Sequence, residues 1–129
     1  MKILLVDDED SFRESLKKQL AIRGYDVTAV STGEQALESL ERQAVDVVLL
    51  DMRMPGMDGV MTLGAIKRQS PTTEVIIVTG HATVKTAMDV MEKGAFDYIT
   101  KPMRLEELIY KIQDAVRKKE LKEQGNNGR

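Results

Sequence analysis

Five short apolar runs alternate along this chain with longer stretches in which apolar residues recur every three or four positions. The runs occupy residues 2–6, 26–30, 45–50, 74–79 and 96–100. The first, third and fourth are rich in Val, Ile and Leu with little polar alternation, which is typical of strands buried on both faces of a parallel sheet. The second and fifth are more mixed, as expected of strands near the edges of a sheet.

The stretches between the runs have the periodicity and end signals of helices. Ser11 with Glu14 predicts a capping box at the start of the first helix, and Thr32 with Gln35 predicts the start of the second. The third is expected to begin after Gly59. Residues that break helices mark the ends of the first, third and fourth helices, namely Gly24, Pro71 and Gly94.

This order of elements predicts a single doubly wound α/β domain. Strand and helix alternate five times, which implies right-handed crossovers and a parallel sheet covered by helices on both faces. The expected fold is a flavodoxin-like (βα)5 sheet with strand order 2-1-3-4-5. In such sheets ligands bind beyond the carboxyl ends of the strands, where the strand order reverses, which here lies between the first and third strands.

The length of the chain supports one domain. A chain of 129 residues can bury a core without disulfides or metals. The last helical stripe begins at Leu105 and continues only through Leu121. We therefore assign residues 1–121 to the domain and interpret residues 122–129 as a flexible tail or the start of a linker, with residues 125–129 expected to be loose.

Composition argues against several classes of protein. With 19 basic and 21 acidic side chains and no basic block before the last helix, direct nucleic-acid binding is not expected. The absence of cysteine excludes disulfides and thiolate metal sites. The apolar runs are far shorter than the roughly 20 residues that cross a bilayer. The first strand begins directly after Met1, which leaves no room for a secretory leader, so cytoplasmic residence is expected.

Polar side chains follow four of the predicted strands. Asp7 and Asp8 follow the first strand, Asp51 the third and Lys101 the fifth, and Thr79 ends the fourth. Because the carboxyl ends of parallel strands meet at one edge of a sheet, these side chains are expected to converge. The sequence therefore predicts a site with three carboxylates, a hydroxyl and an ammonium.

These groups suit magnesium and phosphoryl chemistry. Crowded carboxylates repel each other unless a cation intervenes, and oxygen ligands favour a hard cation such as Mg²⁺. An aspartate can attack phosphorus when a metal and nearby donors spread the charge of the transferring group. Asp51 is best placed to be phosphorylated, with Thr79 and Lys101 available to bind phosphoryl oxygens.

Each of these residues also has an ordinary structural explanation. The acidic pair after the first strand can cap a helix, and Asp51 can be a turn residue. Lys101 precedes Pro102: a cis bond would turn the lysine into the site, whereas a trans proline would merely start the last helix. Tyr98 can simply cover the edge of the sheet, and His81 is interpreted as a surface residue and not a metal ligand.

Taken together, the motifs resemble the receiver domain of two-component response regulators, from residue 1 to about residue 121. The matching segments are LLVDD at 4–8, LLDMRMPGMDG at 49–59, VTGHA at 78–82 and FDYITKP at 96–102. The stretch 79–102 is especially similar to NtrC-like regulators, in which the receiver controls an ATPase and a DNA-binding domain. Those output domains are absent from this sequence.

The resemblance implies a site for an aspartyl phosphate. Asp51 would accept a phosphoryl group from a phosphohistidine on a sensor histidine kinase. Asp8 and Asp51 would bind Mg²⁺ directly, helped by the backbone carbonyl of Arg53, and Asp7 would hold a metal-bound water.

The resemblance also implies a signalling switch in phosphorelay signal transduction. Thr79 and Lys101 would bind the phosphoryl oxygens, and Thr79 with Tyr98 would form a hydroxyl and aromatic switch pair. The domain would act in transcription regulation through an output domain, catalysing only its own phosphorylation and slow dephosphorylation. Whether phosphorylation drives homodimer formation stays open.

Two other functions are compatible with parts of the pattern. A small Mg²⁺-dependent phosphatase of the haloacid-dehalogenase kind would use Asp8 as its nucleophile, since Asp8 and Asp10 form an acid pair after the first strand. That interpretation leaves Asp51 unexplained. A flavin-binding module would share the fold, but no phosphate loop rich in Ser, Thr and Gly follows the first strand.

Overall fold

The computed structural model of the protein describes residues 1–53, 56–80 and 83–127. Within these residues, five strands alternate with five helices. The strands are β1 (Lys2–Val6), β2 (Asp26–Val30), β3 (Val47–Leu50), β4 (Glu74–Thr79) and β5 (Asp97–Thr100). The helices are α1 (Asp10–Ile22), α2 (Gly33–Arg42), α3 (Gly59–Gln69), α4 (Val84–Glu92) and α5 (Leu105–Asn127).

The strands form one parallel sheet in the order β2-β1-β3-β4-β5, which confirms the predicted fold. Leu4 in the middle of β1 aligns with Thr28 of β2 on one side and with Val48 of β3 on the other. The strand order therefore reverses between β1 and β3. The mixed strands β2 and β5 lie at the two edges, where one side of each ladder is open.

Alternate residues of the central strands pack into two separate cores. Leu4 and Val6 belong to a cluster with residues of α2, α3 and α4, whereas Ile3 and Leu5 belong to one with residues of α1 and α5. Each buried Leu, Ile or Val contributes roughly 1.5–3 kcal/mol of hydrophobic stabilisation. Burial on both faces explains why β1, β3 and β4 lack polar alternation.

The predicted capping box of the first helix is wrong. Helix α1 begins at Asp10, with Glu9 at the N-cap position and no side-chain capping bond there. Asp7 instead stabilises the turn before the helix, because its Oδ1 accepts a hydrogen bond from the backbone N–H of Glu9 at 2.9 Å. The predicted start of α2 is confirmed, since the Thr32 hydroxyl accepts a hydrogen bond from the Gln35 N–H at 3.1 Å.

Several element bounds differ from the expected ones. Strands β3 and β5 begin at Val47 and Asp97, later than the apolar runs suggest, because Val45 and Phe96 pack in the cores outside the ladders. Helix α5 continues to Asn127, so residues 125–127 are helical and not loose. Residues 128 and 129 lie outside the described residues. In the described part of the chain, none of the helices has the length and apolar character needed to cross a bilayer.

Candidate functional site

Three aspartates meet at the carboxyl edge of the sheet, beside the reversal of strand order. One oxygen from each of Asp7, Asp8 and Asp51 lies within 4.8 Å of the others. The ladder holds two of them in place, since Asp7 N donates to Val30 O at 3.1 Å and Asp51 N to Val6 O at 3.0 Å. Asp7 and Asp51 are 1% and 6% exposed, whereas Asp8 is exposed to solvent.

Lys101 brings a positive charge to these carboxylates from the end of β5. Its Nζ lies 2.8 Å from Asp7 Oδ2, 3.5 Å from Glu9 Oε1 and 3.8 Å from Asp51 Oδ2. The peptide bond between Lys101 and Pro102 is cis, the first of the two predicted alternatives. By the distances above, the Lys101 ammonium is closest to Asp7, then to Glu9 and then to Asp51.

Thr79 and the backbone after Asp51 complete the surroundings of that carboxylate. Thr79 is buried at the end of β4, and its hydroxyl lies near enough to the Asp51 carboxyl to lower the pKa of that group through hydrogen bonding. The N–H of Arg53 lies 3.5 Å from Asp51 Oδ1. Helix α3 starts very close to this loop. A Cβ added to Gly59 would lie only 2.7 Å from the carbonyl oxygen of Asp51.

A cleft of about 360 Å³ opens over the carboxylates. Its walls are formed by residues from the ends of four strands or the loops that follow them, namely Asp8, Glu9, Asp51, Arg53, Gly80 and Lys101. Gly80 has no side chain to narrow the entrance. The cleft is large enough to hold a group of the size of a phosphate.

The electrostatics of the site are those of crowded, buried carboxylates. Burial raises the pKa of Asp51 above its ordinary value of 3.8, and the charge of Asp7 raises it further. Lys101 and the hydrogen bonds from Thr79 and Arg53 oppose this shift without cancelling it. Burial lowers the pKa of Lys101, but its hydrogen bond to Asp7 and the nearby carboxylates more than offset this, so the net shift is upward.

These residues fit a hard divalent cation. The donors are carboxylate oxygens, which such cations prefer, and Asp8 is open to solvent for exchange of bound water. Besides burial, repulsion from Asp7 raises the pKa of Asp51. A bound cation would relieve this repulsion between the two carboxylates.

Strand β4 lies between Tyr98 and the strand that precedes Asp51. Tyr98 is on β5, where it aligns with Ile77 of β4, and its side chain is 38% exposed. Thr79 aligns with Thr100, two positions further along the same strand. His81 and the loop residues Met54 and Pro55 lie outside the described residues.

Three residues near the site were not predicted from the sequence. The Phe12 ring lies under the Lys101 ammonium, with 3.9 Å from Nζ to the ring centroid. Glu9 pairs with the same ammonium, and Arg13 Nη1 donates to the Asp7 carbonyl oxygen at 3.0 Å. All three lie at the start of α1. The sequence signal that could have found them is their position, because the first helical turn after a strand at the reversal of strand order borders the edge of the sheet where ligands bind.

Comparisons with known proteins place the chain in one family. A family model described as the response regulator receiver domain matches residues 3–113. The regulatory protein AtoC of Escherichia coli is 38% identical over 95% of this chain and 27% of its own length. The DNA-binding transcriptional regulator NtrC of the same organism is 39% identical over 88% of this chain and 24% of its own length. The chain thus spans about a quarter of the length of these relatives.

Solved structures give the same assignment. NtrX from Brucella abortus in complex with ADP superimposes with a TM-score of 0.93 at 31% identity, covering 99% of this chain and 30% of that one. A response regulator receiver domain protein from Clostridium thermocellum gives 0.88 at 36% identity, covering 93% and 97%. None of these relatives supports the phosphatase alternative. The chain belongs to the response regulator receiver domain family.

Proposed function

We propose that this receiver domain accepts a phosphoryl group on Asp51 from a phosphohistidine of a sensor histidine kinase. The observation that carries the proposal is the position of Asp51, buried at the reversal of strand order between the Thr79 hydroxyl, the Lys101 ammonium and the acidic pair. The membership of the family supports the same role. We infer from the relatives' role in transcription that the domain works in the cytoplasm, and from its nearly balanced charge that it does not itself bind DNA.

The transfer is a displacement at phosphorus. A carboxylate oxygen of Asp51 attacks, an O–P bond forms, and the P–N bond of the phosphohistidine breaks with its electron pair left on the imidazole nitrogen. Thr79 and Lys101 donate hydrogen bonds to the phosphoryl oxygens, where charge gathers in the transition state. The reaction is self-modification, and slow hydrolysis of the aspartyl phosphate returns the carboxylate.

The acidic residues take the role of a magnesium site. We assign Asp8, Asp51 and the Arg53 carbonyl as direct ligands and Asp7 as the holder of a metal-bound water. When bound, Mg²⁺ supplies positive charge to the transferring phosphoryl group. Asp7 also keeps Lys101 at the site through their 2.8 Å ion pair.

We propose that phosphorylation shifts the population of two states of the domain. Thr79 would follow the phosphoryl group, and Tyr98 would turn inward from its 38% exposed position. The surface of α4, β5 and α5 would change as a result. Helix α5 would carry this change from the domain, residues 1–121, into a linker that begins at residue 122. The linker would lead to an output domain. In the NtrC-like arrangement, the output consists of an ATPase and a DNA-binding domain.

Labelling by a small phosphodonor tests this function. With acetyl phosphate and Mg²⁺, the intact mass of the wild type should rise by one phosphoryl group, and Asp51→Asn should remain unlabelled. Equal labelling of Asp51→Asn would contradict the proposal. Steady turnover of a small phosphate ester that is lost in Asp8→Ala and kept in Asp51→Ala would instead favour the phosphatase.

A further inference from the structure

The ammonium of Lys101 rests on the face of an aromatic ring. Lys101 Nζ lies 3.9 Å from the centroid of Phe12, within the range of about 6 Å in which a cation is attracted to a ring. Phe12 is in the first turn of α1 and packs against the core between the sheet, α1 and α5. The ring therefore has a fixed place from which it can hold the lysine.

The lysine needs such a support because its side chain is long and flexible. It borders a groove of about 480 Å³ between α1 and the segment after β5, lined in part by Phe12, Glu9 and Met103. Only 15% of the Lys101 side chain is exposed even so. The ring closes one side of the ammonium, and Asp7 holds another at 2.8 Å.

Phe12 is less buried than the residues that hold α1 in place. The fully buried residues of this helix are Leu16 and Leu20, one and two turns further on. Phe12 is half-buried at the edge of the same core. Its ring contributes contact with Lys101 in addition to packing, and an aliphatic side chain could supply only the packing.

We propose that Phe12 is a positioning residue for phosphoryl transfer, with its ring face holding the Lys101 ammonium at the carboxylates while leaving it free to move between them. This inference rests on the proposed role of Asp51 as phosphoacceptor. In the structure the ammonium lies 2.8 Å from Asp7 and 3.8 Å from Asp51. A ring attracts a cation over a broad area, so Lys101 can shift toward a phosphoryl group on Asp51 without leaving Phe12.

The labelling rate of Phe12 variants tests the proposal. Phe12→Leu keeps an apolar side chain without the ring, and Phe12→Tyr keeps the ring as the conservative rescue. With acetyl phosphate and Mg²⁺, we expect Phe12→Leu to lower the maximal labelling rate by about threefold to tenfold, the size expected for one such contact, and Phe12→Tyr to stay near the wild type. Labelling of Phe12→Leu at the wild-type rate would overturn the proposal.

A double-mutant cycle separates positioning from a general structural effect. In a Lys101→Met background, Phe12→Leu should cause no further loss of the residual labelling rate, because the ring then has no ammonium to hold. The same loss in both backgrounds would show that Phe12 acts independently of Lys101 and would overturn the inference.

A second readout uses the metal-free protein and needs no phosphorylation. The ring should shift the NMR signals of the Lys101 ε-methylene protons upfield, and this shift should be absent in Phe12→Leu and kept in Phe12→Tyr. An unshifted signal in the wild type would overturn the inference. If the wild type shows the shift but Asp51 is never labelled, the contact stands, and the proposed function and the positioning role that rests on it both fail.

Discussion

Asp51 is a carboxylate kept in a place that disfavours its charge. Burial and the nearby charge of Asp7 raise its pKa, and Lys101 and Thr79 compensate only in part. A folded-state pKa above the unfolded value means that the folded protein binds the proton more tightly. The stabilisation from this proton is complete below the unfolded value of 3.8 and is lost as the pH rises through the folded pKa.

The first prediction follows from this upward shift of the pKa of Asp51. In EDTA at neutral pH, Asp51→Asn should be more stable than the wild type by about 1 kcal/mol, since it removes a buried charge that crowds Asp7. The difference should shrink as the pH falls through the folded pKa of Asp51. Urea unfolding of both proteins at a series of pH values measures this, and an Asp51→Asn variant less stable at neutral pH would contradict it.

Gly59 is the residue that lets α3 begin so close to Asp51. A Cβ at this position would lie 2.6 Å from Met52 Cα and 2.7 Å from the Asp51 carbonyl oxygen, both of them backbone atoms. Backbone contacts this short cannot be relieved by rotation of a side chain. The second prediction is therefore that Gly59→Ala lowers the free energy of unfolding by about 2–4 kcal/mol and slows labelling of Asp51.

Gly64 in the same helix is the matched control for Gly59. A Cβ there would meet only Arg68 Nη1, the far end of a flexible side chain, at 3.4 Å. Gly64→Ala should be neutral or stabilise the protein by up to about 1 kcal/mol through its higher helix propensity. Thermal unfolding of both variants gives the comparison, and equal effects at the two positions would refute the steric explanation.

At the scale of elements, Glu74 joins helix α5 to the amino edge of the sheet. The Glu74 side chain is 0% exposed, and its Oε2 has no hydrogen-bond partner. Three lysines surround it, with Nζ distances of 3.4 Å for Lys67, 3.6 Å for Lys118 and 3.3 Å for Lys122. Lys118 and Lys122 lie one turn apart on α5, so this carboxylate holds the late part of that helix.

The third prediction concerns this carboxylate. Glu74→Gln keeps the shape but leaves Lys67 and the α5 lysines without a counter-charge, which should cost about 2–4 kcal/mol of stability. Hydrogen exchange in residues 117–127 should become faster. Asp114→Asn is the control, because its pair with Arg117 is exposed and should contribute less than about 0.5 kcal/mol. Unchanged exchange in α5 of Glu74→Gln would contradict the prediction.

The sequence predicted the elements well because their signals are local. Apolar runs marked β1, β3 and β4, and glycines marked the ends of α1 and α4. It missed the exact starts of β3 and β5, since Val45 and Phe96 are apolar for core packing and not for ladder pairing. It also missed the length of α5, because contacts with Glu74, distant in sequence, hold that helix.

The candidate site was predictable only as far as topology reaches. Parallel strands bring their ends together, so the positions of Asp7, Asp51 and Lys101 followed from strand order alone. The contact of Lys101 with Phe12 depends on how α1 packs beside the end of β5, and no local pattern reports that.

For the whole molecule, the carboxyl ends and the amino ends of the strands hold different charged groups. The carboxyl edge gathers the acidic residues and Lys101, and the amino edge holds Glu74 with its lysines. Between them, the face of α4, β5 and α5 exposes large apolar or aromatic side chains, namely Val84, Met88, Met91, Tyr98 and Tyr110. This face is the surface that we propose responds to phosphorylation.

The fourth prediction is a gain in global stability on metal binding. At a concentration 100 times its dissociation constant, Mg²⁺ should stabilise the wild type by about 2.7 kcal/mol if it binds only the folded state. Asp8→Asn should lose most of this gain. Asp10→Asn should keep it, because Asp10 is exposed and pairs with Arg13 outside the cluster. Thermal unfolding with and without Mg²⁺ measures the difference, and equal gains in both variants would contradict the assigned ligands.

Locating the phosphoryl group on the chain tests the role of Asp51 most directly. After labelling with acetyl phosphate and Mg²⁺, reduction with borohydride converts an aspartyl phosphate to homoserine, which peptide mass spectrometry can assign to one residue. If Asp51 is the phosphoacceptor, homoserine should form at position 51 and at no other aspartate. Conversion at position 8, or labelling with no conversion at 51, would contradict this role.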